Sequence, residues 1–289
     1  MILVVGATGM FGSRVLRELL ARGAAARALV HRASESDSVR DQGAEVVVAD
    51  LDDPQSLQPA FAGIDTVFLV SPMDEHIRVR EANALAAAKD AGVRRIVKLH
   101  GAVRHLADED LAQQHQASVD AIAASGLRWA IVSPNSVMET SLLGQAGAIR
   151  ATDTIFGCAA GGRIGLVAAD DVGRAAAVVL TDRDEQGAEY VLTGPAAVTL
   201  EEVAGSFTTV LGRPVSYQDM PVDEFRTFMI EQAGIPEDRV DAAVMVHFEA
   251  WRRGDADIVT DTYRELTGSA PTSVHDWIMA HRGAFVPGP

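Results

Sequence analysis

The spacing of apolar positions changes repeatedly along this chain. Short, consecutive apolar, β-rich runs at 2–5, 26–30, 45–48, 66–70, 95–99 and 129–132 alternate with longer stretches in which apolar residues return every three or four positions. Runs of that length suit strands buried on both faces, and the longer stretches suit amphipathic helices. Their alternation predicts an α/β fold, a doubly wound parallel sheet with helices on both faces. In the first such helix Phe11, Val15, Leu16, Leu19 and Leu20 form one stripe, while Arg14, Arg17 and Glu18 face elsewhere. Further helices are expected over 76–91, over 108–124 before Gly126, and over about 170–180, where the first turn is acidic. Beyond a strand at 191–193 the pattern becomes mostly helical, over 200–211, 222–233, 236–253, 262–266 and 273–281, with one short strand near 215–217. This second region reads as a smaller C-terminal lobe, which the segment 138–163 joins in space.

Composition narrows the picture. The 289 residues carry a formal net charge of −15, and 48% are hydrophobic. That charge argues against a nucleic-acid partner, because phosphate tracking needs a basic surface. No apolar run approaches the roughly 20 residues that span a bilayer, and the chain enters its first strand at Ile2 with no export-type leader. A cytoplasmic protein without a membrane partner is expected. Cys158 is the only cysteine, which excludes an intrachain disulfide and fits a small buried side chain. Eight histidines are scattered with no ligand spacing, so no metal is expected.

The first strand-to-helix turn reads VVGATGMFG. Gly6 allows a tight strand exit, Gly9 lets backbone approach a pyrophosphate, and Gly12 allows close packing of helix on strand. The helix N-terminus, with Thr8, Met10 and Phe11 around it, presents free amides to phosphate. An NAD-preferring site would carry an acidic residue at the end of the second strand, and here His31 and Arg32 stand there instead. A guanidinium suits a 2′-phosphate, and Ser34 could add a hydroxyl, so NADP(H) is the expected cofactor. Asp50 and Leu51 are placed for the adenine side, and Val70, Ser71 and Pro72 for the ribose and nicotinamide path. The architecture is therefore of Rossmann type, with residues 1–135 as the NADP(H)-binding domain. Residues 136–289 form a mixed region in which 164–193 returns to the core sheet and the rest builds the helical substrate lobe.

With this loop, Arg32, and the segments ADLDD, FLVSP and SGLRWAIVSPNSVMET, the chain resembles the NmrA-like group of atypical short-chain dehydrogenases/reductases. The segment LTGPAAVTLEEVAGSFTTVLGRPVSY is similar to that group's helical substrate lobe. The resemblance implies NADPH-dependent reduction of a quinone or related conjugated aromatic molecule. It also covers regulators that bind the nucleotide without turnover, the alternative reading, and a nucleotide fold retained by a lyase or isomerase stays open beside both.

One departure bears on chemistry. The superfamily's usual Tyr-x-x-x-Lys pair is absent from the chain; counted from SGL, its places hold Leu111 and His115. His115 can titrate near neutral pH, and the resemblance makes it the candidate catalytic donor. The strand before it would bring Lys98, His100 and Gly101 to the cleft rim, with His100 a further cofactor contact. Asn135, Met138, Phe156 and Trp251 are the candidate substrate-pocket residues, with Phe228 and His247 nearby in the same expected wall. The expected partner is a small-molecule substrate, and a homodimer is compatible with the sequence.

Overall fold

The computed structural model describes residues 1–102, 110–184 and 186–286. Its strands are β1 Ile2–Val4, β2 Ala26–Val30, β3 Glu45–Val48, β4 Thr66–Leu69, β5 Arg95–Leu99, β6 Arg128–Pro134, β7 Thr154–Gly157, β8 Ala188–Leu192 and β9 Ser216–Asp219. The helices of the first half are α1 Met10–Ala21, α2 Ser36–Arg40, α3 Pro54–Phe61, α4 Ile77–Asp90 and α5 Asp110–Ala123. Those of the second half are α6 Met138–Leu143, α7 Ala146–Thr152, α8 Ala169–Asp182, α9 Leu200–Leu211, α10 Val222–Glu231, α11 Glu237–Val240, α12 Val246–Arg253, α13 Thr262–Thr267 and α14 Val274–Ala280. The expected helix start at Asp108 lies outside the described residues.

Seven parallel strands form one sheet in the order β3-β2-β1-β4-β5-β6-β8, which confirms the doubly wound Rossmann-type class. Alternation along each strand divides the core between its two faces. Ile2 and Val4 face a cluster with Val15, Leu16 and Leu19 of α1 and Val172, Ala175 and Ala176 of α8. Leu3 and Val5 face the other way, onto Leu57 and Phe61 of α3 and Ala84 and Ala88 of α4. The strand order reverses between β1 and β4, so the turns after these strands border the crevice in which open α/β sheets bind ligands.

A third cluster gathers α6, α7, α9, α10, α12 and α14 around Phe207, Phe225, Trp251 and Trp277. Beside it β7 and β9 pair in parallel as a separate two-stranded sheet. The sequence pattern contains no signal for β7, because four residues with a single partner strand leave too short a period to read. The helix expected over 236–253 is interrupted: a π-helical turn at Asp241–Met245 separates α11 from α12. Side-chain periodicity cannot register such a local change in hydrogen bonding.

Candidate cofactor and active site

The glycine turn is shaped by contacts that no side chain could share. Gly6 adopts φ +71°, and a Cβ there would lie 2.7 Å from the Val70 carbonyl oxygen. A Cβ on Gly12 would fall 2.0 Å from the Gly6 carbonyl oxygen. Gly9 differs: it is exposed, and its nearest neighbour to an added Cβ would be the Gly6 oxygen at 3.2 Å. Gly9 caps α1 without a side-chain hydrogen bond, and the first turn of α1 contains no acidic residue. The open amides and the positive end of the helix dipole therefore face the crevice with no side-chain anion of that turn against them, an arrangement that fits a dinucleotide pyrophosphate.

At the carboxyl end of β2, Arg32 projects into solvent with its side chain 72% exposed. Its Nη2 and Nε donate to Glu35 Oε1 at 2.8 and 3.2 Å, and its backbone N–H donates to Glu35 Oε2 at 3.3 Å. Hydrogen bonding from Arg32 is the leading cause that holds the Glu35 carboxyl below the usual carboxylate range. His31 Nε2 lies 3.3 Å from Asp50 Oδ2, joining the ends of β2 and β3. Leu51 is buried, and its carbonyl accepts a hydrogen bond from Asn83 at 2.8 Å.

After β4, Val70 lies against Gly6, Pro72 is exposed, and Ser71 turns inward to donate to Glu81 Oε1 at 2.9 Å. Glu81 of α4 also receives Lys98 Nζ, at 2.6 Å from both carboxylate oxygens. Lys98 is fully buried, a correction to its expected place at the cleft rim. Burial pushes its ammonium below the usual lysine range, and Glu81 opposes that effect.

His100 does stand at the end of β5, its Nδ1 2.9 Å from the Gly101 carbonyl oxygen and its backbone N–H bound to Val132 O at 3.0 Å. His115 comes from α5, which also carries Leu111. The two imidazole rings meet with centroids 5.1 Å apart and planes inclined by 59°. Two histidines separated by fifteen positions in sequence thus converge at one strand end.

Comparison with known proteins fits this geometry. A family model described as NAD(P)H-binding matches residues 6–183. The chain is 33% identical to (4-alkanoyl-5-oxo-2,5-dihydrofuran-3-yl)methyl phosphate reductase of Streptomyces griseus, over 99% of this chain and 100% of that protein. It is 30% identical to NAD(P)H azoreductase of Xenophilus azovorans, over 99% of both chains. Among solved structures, the NADPH-dependent quinone oxidoreductase of Escherichia coli complexed with NADPH superposes with a TM-score of 0.89 at 25% identity, covering 98% of this chain and 100% of that one. The chain belongs to the NmrA-like atypical short-chain dehydrogenases/reductases.

In this NAD(P)H-dependent reductase family member, most of the expected substrate-pocket residues serve packing. Met138 is fully buried in the C-terminal cluster. Trp251 is 4% exposed, and its indole N–H donates to Ser136 Oγ at 2.8 Å. Asn135 is equally buried; its amide donates to the carbonyls of Ala256 at 3.0 Å and Ile258 at 3.4 Å, while its oxygen accepts from the Ser136 N–H at 2.7 Å. At these three positions, expected in the pocket wall, the side chains are engaged in close packing, and those of Asn135 and Trp251 also in internal hydrogen bonds. Phe156 is half-buried and packs on Phe228 with ring centroids 4.8 Å apart. Glu35 and Glu81 are not among the residues expected from sequence; Arg32 and Lys98, which they bind, lie three and seventeen positions away. An acidic residue three positions after Arg32 was a readable signal for Glu35, whereas nothing local marks Glu81. Among the described residues, no group of three or more His, Cys, Asp or Glu side chains is arranged to hold a metal, and no helix is long and apolar enough to cross a membrane.

Proposed function

We propose that the protein is an NADPH-dependent reductase that transfers a hydride to a quinone or a related conjugated aromatic molecule. The observation that carries this reading is the convergence of His100 and His115, 5.1 Å apart, on the strand adjacent to the β1–β4 crevice. The glycine turn would hold the pyrophosphate and Arg32 the 2′-phosphate, while the backbone at Val70, Ser71 and Pro72 would border the nicotinamide ribose. NADPH, when bound, supplies the hydride. Reduction of a quinone to a hydroquinone consumes that hydride and one proton, and His115 would donate the proton to a substrate oxygen. His100, whose ring lies 5.1 Å from that of His115, would help to set the orientation of the donor. A quinone accepts negative charge readily, which is compatible with a site in which Leu111 stands where a tyrosine acid would be.

The deciding experiment measures NADPH oxidation against a panel of benzoquinones, naphthoquinones and azo dyes, alongside calorimetric NADPH binding. Turnover of a quinone with micromolar NADPH affinity is the expected result. Tight binding with no turnover on any acceptor would replace this reading with that of a nucleotide-binding regulator.

A further inference from the structure

The adenosine end of the crevice carries an anion beside its cation. Arg32 does not project alone: Glu35 accepts from its Nε, its Nη2 and its backbone N–H at once, and so is anchored by the geometry of the turn it caps. The Glu35 side chain is only 20% exposed, which limits its freedom to swing away. A second carboxylate, Asp50, faces His31 at 3.3 Å at the next strand end. A 2′-phosphate approaching the guanidinium would therefore meet a fixed negative charge within one ion-pair length of its own partner. The pair is exposed on the arginine side, so the interaction is weakened by water and salt but not abolished.

We propose that Glu35 is a specificity-determining residue that tempers the preference for NADPH over NADH. This inference rests on the reading of Arg32 as the partner of the 2′-phosphate. The carboxylate satisfies the Nε–Nη2 edge of Arg32 and repels the incoming phosphate dianion. NADH, whose ribose is uncharged at the 2′ position, escapes this repulsion. Dual use of the two cofactors with a modest NADPH preference follows, in place of strict NADPH dependence.

The test is calorimetric binding of NADPH and NADH to the full-length wild type, E35Q, R32A and the E35Q/R32A double variant, at low and moderate salt. Glutamine keeps an oxygen for the Arg32 backbone N–H, so the turn is preserved while the charge is lost. Two unit charges about 4 Å apart in water interact by about 1 kcal/mol, so E35Q should tighten NADPH roughly three- to tenfold, with NADH affinity changed less than twofold. The gain should shrink as salt rises, and it should fall below about twofold in the R32A background. An unchanged NADPH-to-NADH ratio in E35Q, or a loss of NADPH affinity, would overturn the proposal, the latter by showing that Glu35 holds Arg32 in a productive position. Failure of the underlying reading looks different: R32A would then weaken both cofactors equally.

Discussion

At the scale of single residues, the site depends on a few atoms whose neighbours define what each can do. Gly9 is the least crowded glycine of the turn: an added Cβ would press on the Gly6 carbonyl oxygen at 3.2 Å, against 2.7 Å to the Val70 oxygen at Gly6 and 2.0 Å to the Gly6 oxygen at Gly12. Gly9→Val is expected to leave the far-ultraviolet circular dichroism intact and to reduce binding of NADPH and NADH alike by at least a hundredfold, because a branched side chain would cover the helix amides. His115→Ala is expected to lower quinone turnover by roughly ten- to a thousandfold, in the range for loss of a positioned proton donor, while NADPH affinity changes little. Stopped-flow absorbance at saturating NADPH separates the two effects; full activity in the alanine variant would remove His115 from the mechanism. Burial pushes the Cys158 thiol up to about 11, which favours the protonated form at neutral pH.

At the scale of elements, the buried Lys98–Glu81 pair fastens α4 to β5, and Ser71 extends it to the turn after β4. Such a pair is a weak net contributor but a costly one to break. Glu81→Gln, which leaves the Lys98 ammonium buried without a counter-charge, is expected to destabilise the fold by about 3–5 kcal/mol in urea unfolding. The apolar double variant Glu81→Leu/Lys98→Met should recover most of that loss. A double variant no more stable than the single one would show that the network's hydrogen bonds, not its charge balance, hold the elements together. On the opposite face, α8 touches α1 at Gly173, where a Cβ would sit 2.6 Å from the Cβ of Arg14. That close approach fixes the helix whose N-terminus borders the cofactor crevice.

At the scale of the whole molecule, acidic residues tie the C-terminal region and α8 to the nucleotide-binding half. Glu139 accepts from the Ala169 N–H at 2.9 Å and from the Trp277 indole at 3.1 Å, with Arg14 4.0 Å away. Asp170 accepts from Arg14 Nε at 2.7 Å and Arg17 Nη2 at 3.1 Å. Burial raises the Asp170 carboxyl, and Arg17 and Arg14 outweigh that effect, so it lies below the usual carboxylate range. A folded value below the unfolded one means that the stabilisation is fully present above the ordinary aspartate value of about 4 and is lost as pH falls through the lower folded value. Asp170→Asn should accordingly be less stable than wild type at pH 7, with the gap closing below about pH 4. Urea midpoints measured across that range would check it, and a constant gap would refute it.

The sequence by itself determined the class of fold and the shape of the glycine turn, because both rest on local rules. Apolar runs marked the strands at 26–30, 45–48 and 95–99, and GxxGxxG marked the turn whose φ and close contacts only glycine tolerates. The crossed boundaries were small: strand 66–70 closes at Leu69, and the strand expected at 191–193 runs instead over Ala188–Leu192. Tertiary structure decided what sequence spacing cannot express. It turned Lys98 inward to Glu81, gave Asn135 to the carbonyls of Ala256 and Ile258, buried Met138 and Trp251, and brought His100 against His115. Periodicity reports which face of its own element a residue occupies; the partner that waits on that face comes from distant chain, as Ile258, 123 positions on, does for Asn135, and only packing selects it.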